Sequence, residues 1–150
     1  LIDITTTFAV ISWKKEAYRI MIADKIKNAR TILYYITIII VTRLMKYRNK
    51  SFWEGNKTII FDTLTDRHQY EVIAVFKTVI YTNRSDSFKY YEFTDAENAA
   101  EFDAYVAKCK ELSLYDTGVL AEYGDKLISL STCEYSRNNG RLVVVAKRVD

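Results

Sequence analysis

The sequence predicts a mainly β domain with helices packed on its flank, and three observations carry that prediction. Residues 126–149 alternate apolar and small polar side chains up to Cys133, reverse through Asn138-Asn139-Gly140, and return as the β-branched run Leu142–Val145. That is the pattern of two strands of one hairpin. A second pair of strand-like runs, Lys57–Thr63 and His68–Tyr81, flanks the turn 64–67. Twelve tyrosines and seven phenylalanines in 150 residues suit a sheet with an aromatic groove on its surface.

A chain of this length makes one domain with a real core and needs no covalent staples. With 49% hydrophobic and 27% charged residues, its composition is that of an ordinary globule. The net charge of +3 comes from Lys and Arg interspersed with Asp and Glu, which gives no basic footprint for nucleic acid. Two cysteines, Cys109 and Cys133, make no disulfide framework and are read as free thiols. No metal-ligand spacing occurs, and no cofactor is implied. The most apolar run, Ile32–Val41, is too short to span a bilayer and reads as a buried central strand. No basic segment followed by an apolar stretch and a cleavage site precedes it.

In chain order, Phe8–Ile11 reads as a first strand and Trp13–Arg30 as a basic amphipathic helix that packs on its own domain. After the 32–41 strand, Ser51 with Glu54 forms a capping box that opens a short helix. In the 68–81 strand, Val72, Ala74 and Phe76 should face one side and Ile73, Val75 and Lys77 the other. A polar and aromatic loop, 82–93, contains Tyr90 and Tyr91. Thr94 with Glu97 forms a second capping box, and the helix it opens runs to about Leu112 with Phe102, Val106 and Cys109 as its buried stripe. Cys109 therefore has a packing role.

The chemistry concentrates on the hairpin. If its strands pair antiparallel, Cys133 and Arg141 stand at the same mouth of the ladder. A thiolate is the nucleophilic form of cysteine, and a fixed cation beside it favours that form and can stabilise an oxyanion on an attacked carbonyl. The plainer alternative is a small hydrophobe on a strand and a solvated edge arginine.

Leu130-Ser131-Thr132-Cys133 with Arg141, preceded by Ser113-Leu114-Tyr115-Asp116-Thr117-Gly118-Val119, resembles the active-site hairpin and preceding segment of the class B sortases. The resemblance runs from about Arg43 to Val149 and fades over residues 1–42. It implies a closed β-barrel of about eight strands with flanking helices. It also implies a cysteine transpeptidase, of the cysteine protease type among the hydrolases. Such an enzyme cleaves an NPQTN-like sorting signal at its threonine and passes the acyl group, through a thioacyl intermediate, to a cell-wall or pilin amine. Cys133 matches the nucleophile and Arg141 the oxyanion-stabilising arginine. Ser131, Thr132 and Glu134 match positions that contact the sorting peptide, and Tyr90 and Tyr91 match the loop that closes over it.

The implied location is the outer face of the membrane of a Gram-positive bacterium. Residues 1–150 would be the catalytic domain apart from its N-terminal anchor. The family also uses a general-acid histidine, expected between Leu33 and Thr37, where the sequence reads Leu-Tyr-Tyr-Ile-Thr. The only histidine, His68, falls beside a turn expected to be remote from Cys133. Two functions stay open: the transpeptidase, and a non-catalytic module that binds sorting peptides on the same scaffold.

Overall fold

A computed structural model of the chain describes residues 10–13, 42–62, 66–80 and 88–150. All but the first residue of the expected helix 13–30 and the whole 32–41 strand lie outside them, as do residues 82–87 of the aromatic loop and residues 64–65 of the turn, while Trp13 belongs to a strand rather than to that helix. The described strands are β1 (Val10–Trp13), β2 (Thr58–Asp62), β3 (Arg67–Val79), β4 (Leu127–Cys133) and β5 (Gly140–Arg148). They form one antiparallel five-stranded sheet in the order β1-β2-β3-β5-β4. Two helices join it, α1 (Lys50–Gly55) and α2 (Ala99–Leu112), with a further helical stretch at 42–46. The mainly β prediction holds. The closed barrel of about eight strands is replaced, among the described residues, by a curled open sheet with β1 and β4 at its two ends.

The two central strands are covered on both faces, which is why their sequences read as continuous apolar runs. Val72–Phe76 of β3 and Leu142–Ala146 of β5 are all buried. On one face Val72, Val75, Leu142, Val144 and Ala146 pack with Leu44, Tyr47 and Trp53 from the 42–55 region. On the other, Ile73, Ala74, Phe76, Val143 and Val145 pack beneath α2 through Phe102, Tyr105, Val106 and Cys109. Each Val, Leu, Ile or Phe side chain so removed from water contributes roughly 1.5–3 kcal/mol before entropic costs.

Strict alternation along β3 fails at one point. The register steps from Val72↔Ala146 directly to Ala74↔Val145, so Ile73 is an inserted residue. Such a bulge puts two neighbours on one side. Ala74 and Phe76 therefore share a face with Ile73 rather than with Val72, and Val75 returns to the face of Val72.

The strand also runs on past β2, whose pairing ends at Thr58↔Glu71. Beyond that point the segment 113–117 takes over β3's free edge. Leu114 N donates to the Val75 carbonyl at 2.7 Å, and the Thr117 hydroxyl donates to the Ile73 carbonyl at 2.7 Å. The Ser113 hydroxyl accepts from Val75 N at 3.0 Å. Backbone groups that a bulge and a missing neighbour would orphan are thus satisfied by the Ser113–Thr117 segment.

Both helix starts differ from expectation. α1 begins at Lys50 with Asn49 at the N-cap position and no side-chain cap, so Ser51 and Glu54 already lie within the helix. α2 begins five residues after Thr94. Its cap is Asn98, whose Oδ1 accepts from Glu101 N at 3.0 Å, while Glu101 Oε2 accepts from Glu97 N at 3.0 Å. That reciprocal arrangement satisfies two donors at the helix start, the role expected of Thr94 and Glu97.

Candidate active site

The hairpin forms as its sequence directs. β4 ends at Cys133, and Cys133 pairs with Arg141 across the ladder. The next pair outward is closed by a hydrogen bond from Glu134 N to the Gly140 carbonyl at 2.9 Å. That makes Cys133 and Arg141 a non-hydrogen-bonded pair, the type whose side chains approach most closely, with Cβ atoms roughly 4.5–5.5 Å apart. In the turn Asn139 adopts φ 56°. Gly140 serves a different purpose, since a Cβ there would sit 2.3 Å from the Glu134 carbonyl oxygen. Its missing side chain is what allows the chain to close so tightly behind the cysteine.

Directly opposed residues share a face. Cys133 and Arg141 stand on the α2 face, and Thr78 of β3, paired with Arg141, continues the same row. Cys133 is exposed and is a free thiol. Arg141 is partly buried, and its Nη1 donates to the Gly140 carbonyl at 2.9 Å, which holds the guanidinium near the turn. Among the described residues no carboxylate forms a salt bridge with it.

Along β4, Cys133, Ser131 and Ser129 fall on this face at intervals of two. Tyr90 O–H lies 2.6 Å from Ser131 Oγ, and Tyr105 O–H lies 3.1 Å from Ser129 Oγ. Tyr90 is buried with its ring edge-on to Phe76, whereas Tyr91 beside it is 46% exposed. Tyr90 thus anchors the 88–93 segment to the sheet, and Tyr91 faces solvent. Beyond Ser129 the same face opens into a cavity of about 520 Å³ lined by Phe93, Tyr105, Tyr123, Lys126 and Leu127 among others.

Thr132 and Glu134, expected at the peptide together with Ser131, point to the opposite face, as the strand's alternation requires. Both are buried. Glu134 accepts hydrogen bonds from Ser136 N, from the Ser136 hydroxyl and from Lys77 Nζ, the last at 3.2 Å. The Ser136 hydroxyl, followed by Lys77, holds its carboxyl below the ordinary carboxylate range. Sequence reading missed Lys77, Ser136 and Arg48 in this cluster, because a bulge in β3 and a loop contact leave no spacing signal.

Cys109, on the inner face of α2, is fully buried, and burial pushes its thiol up to about 12. Its packing role is as expected. His68 lies on β3 rather than in a turn, half-buried, with Nδ1 3.5 Å from Asp150 Oδ1. It is ten positions along the strand from Thr78, roughly 30 Å at the rise of a β-strand. It cannot reach Cys133. The position expected for the general-acid histidine, 33–37, lies outside the described residues.

No family model matches the sequence. Among curated proteins, sortase B of Staphylococcus aureus is 34% identical over 106 residues, covering 69% of this chain and 41% of that protein. Sortase B of Listeria monocytogenes is 30% identical over 108 residues, covering 71% of this chain and 41% of that protein. The crystal structure of Staphylococcus aureus sortase B superposes with a TM-score of 0.61 at 33% identity, covering 72% of this chain and 49% of the other. The chain belongs to the class B sortases. It spans about two fifths of the length of these curated sortases and about half of the crystallised one. Within that family the exposed thiol opposite a guanidinium, at the end of a β-hairpin, is the feature around which the described residues are arranged.

Proposed function

We propose that this sortase chain performs acyl transfer at Cys133. The thiolate attacks the carbonyl carbon of a threonine in an NPQTN-like sorting signal, and the charge developing on the carbonyl oxygen is met by the Arg141 guanidinium. The C–N bond then breaks, the amine leaves with a proton taken from water in place of the one the thiol lost on ionising, and a thioester remains on Cys133. An amine on a cell-wall precursor or a pilin attacks that thioester, forms the new amide and returns the thiol. The observation that carries this reading is the direct cross-strand pairing of an exposed free cysteine with Arg141. A fixed guanidinium in a partly dry site is the donor type that such an oxyanion requires.

The face of β4 running from Cys133 through Ser131 to Ser129 offers a line for an extended peptide, with Tyr91 at its rim. We place the acyl side chains there, and leave the side chains of Thr132 and Glu134 out of that contact because they leave from the other face. Solved structures similar to this chain include a Staphylococcus aureus sortase B–substrate complex and a sortase B complexed with triglycine, which supports a peptide on the acyl side and an amine on the acceptor side. Among the described residues no helix is long and apolar enough to cross a membrane. The extracellular membrane face of a Gram-positive cell is the setting that the family relationship suggests.

The second reading is a module that binds sorting peptides without turning them over. It is favoured by one observation, the sequence Leu-Tyr-Tyr-Ile-Thr at positions 33–37, where a histidine is expected to protonate the leaving amine. Intact mass after incubation with an NPQTN peptide separates the two. A thioacyl adduct on Cys133 supports the transpeptidase, and peptide binding with the protein mass unchanged supports the module.

A further inference from the structure

Glu134 follows the nucleophile in sequence but faces away from it, and its surroundings are those of a clamp. The carboxylate is 4% exposed, and its main cationic partner, Lys77 of β3, is 38% exposed at 3.2 Å. Arg48 approaches from the 42–48 region at 3.8 Å. Its other oxygen takes both the backbone N–H and the hydroxyl of Ser136, inside the hairpin loop. The backbone N–H of Glu134 closes the last rung of the ladder to the Gly140 carbonyl, and Gly140 N donates to the Arg137 carbonyl at 3.0 Å. Ile80 N, just beyond β3, donates to the Asn139 carbonyl at 3.1 Å. The hairpin end carrying Cys133 and Arg141 is therefore fastened to β3 by the β3–β5 ladder, which runs to Thr78↔Arg141 and Val79↔Gly140, and beyond that ladder by the Glu134–Lys77 charge pair and the Ile80–Asn139 backbone bond.

We propose that Glu134 and Lys77 act as a positioning pair, fixing from the reverse face of the sheet the separation of Cys133 from Arg141. This rests on the acyl-transfer reading for its catalytic consequence, though the clamp itself can be read without turnover. Removing Lys77 takes away the nearest cation of a 4% exposed carboxylate and leaves it to Arg48 at 3.8 Å and the Ser136 donors, which weakens the tie between β3 and the loop that Glu134 holds. Misplacing reacting groups by an ångström lowers the rate of a chemical step more than it weakens binding.

The test compares Glu134→Gln, Lys77→Met, the double variant and Lys77→Arg, each first shown by thermal melting to be folded. Turnover of an NPQTN peptide should show kcat reduced about tenfold in each of the first two with KM within about twofold. The double variant should be no worse than either single variant, and Lys77→Arg should recover most of the loss. If Glu134→Gln raises KM and leaves kcat unchanged, Glu134 is a peptide contact. If the two losses multiply, the residues act independently, and either result overturns the proposal. A fold failure of Glu134→Gln leaves the contrast of Lys77→Met with Lys77→Arg to decide. Should the wild-type protein turn over no peptide, the acyl-transfer reading falls while the clamp is still tested, through amide exchange at Ser136. Lys77→Met should speed that exchange and Lys77→Arg should not, whereas unchanged exchange in Lys77→Met removes the clamp.

Discussion

Three residues at the hairpin mouth carry separable physical tasks. In the acyl-transfer proposal Cys133 supplies the electron pair, so Cys133→Ala should eliminate thioacyl formation with a sorting peptide while leaving the melting temperature unchanged, because the side chain is exposed. Arg141 supplies a planar, permanently charged fork, and an ammonium in its place cannot present the same two donors from the same position. Arg141→Lys should reduce kcat/KM for peptide cleavage by about 10²-fold or more, measured by product release, in line with the loss of one oxyanion donor. Gly140 supplies space. In Gly140→Ala the new Cβ meets backbone at 2.3 Å, so the variant should lose about 1–3 kcal/mol in urea unfolding as the last rung opens. The two thiols should also separate by pH. Cys109 is buried and held at about 12, so it stays protonated as pH rises through 9. Titration with iodoacetamide at pH 8 should modify one cysteine per folded chain, Cys133, and two after denaturation.

Among the elements, the hairpin was the most legible in sequence, because three independent signals agreed: alternation up to Cys133, a β-branched return strand, and turn residues between them. The strand bounds and the Cys133↔Arg141 register follow from those signals. The 68–81 strand was legible in extent but not in facing, since a bulge at Ile73 leaves no mark in a run of five apolar residues that are all buried. The helix caps were misplaced for a related reason. Thr94-x-x-Glu97 and Asn98-x-x-Glu101 both carry the capping pattern, and the cap hydrogen bonds form at the second, between Asn98 Oδ1 and Glu101 N and between Glu101 Oε2 and Glu97 N. Asn98→Ala should therefore destabilise the fold by about 1 kcal/mol, with Thr94→Ala close to neutral, when both are measured by thermal unfolding.

The clamp at Glu134 makes a further prediction at this scale. Its carboxyl is held below the ordinary carboxylate value, about 4.3 for glutamate. Its contribution is thus fully present above that value and is lost as pH falls through the lowered one. Glu134→Gln should flatten the acid limb of the stability curve and leave the slope at neutral pH unchanged.

At the scale of the whole molecule, the fold and the site differ in how much local sequence can reveal. A mainly β architecture follows from strand-like runs anywhere in the chain, and the class B sortase relationship from motifs in order over two thirds of it. Closure into a barrel depends on which strand ends meet, and the five described strands form a curled sheet whose two edges are not paired with each other. The acid of the expected mechanism is the part that neither motif nor sheet supplies. His68, the one histidine in the chain, lies roughly 30 Å along β3 from the thiol, paired with Asp150.

Acyl transfer by Cys133 with Arg141 is tested by intact mass spectrometry of the protein incubated with an NPQTN peptide. Acyl transfer predicts a mass increase equal to the acyl fragment, mapped to Cys133, lost in Cys133→Ala and strongly reduced in Arg141→Lys. Saturable peptide binding with no change in protein mass over hours would contradict it.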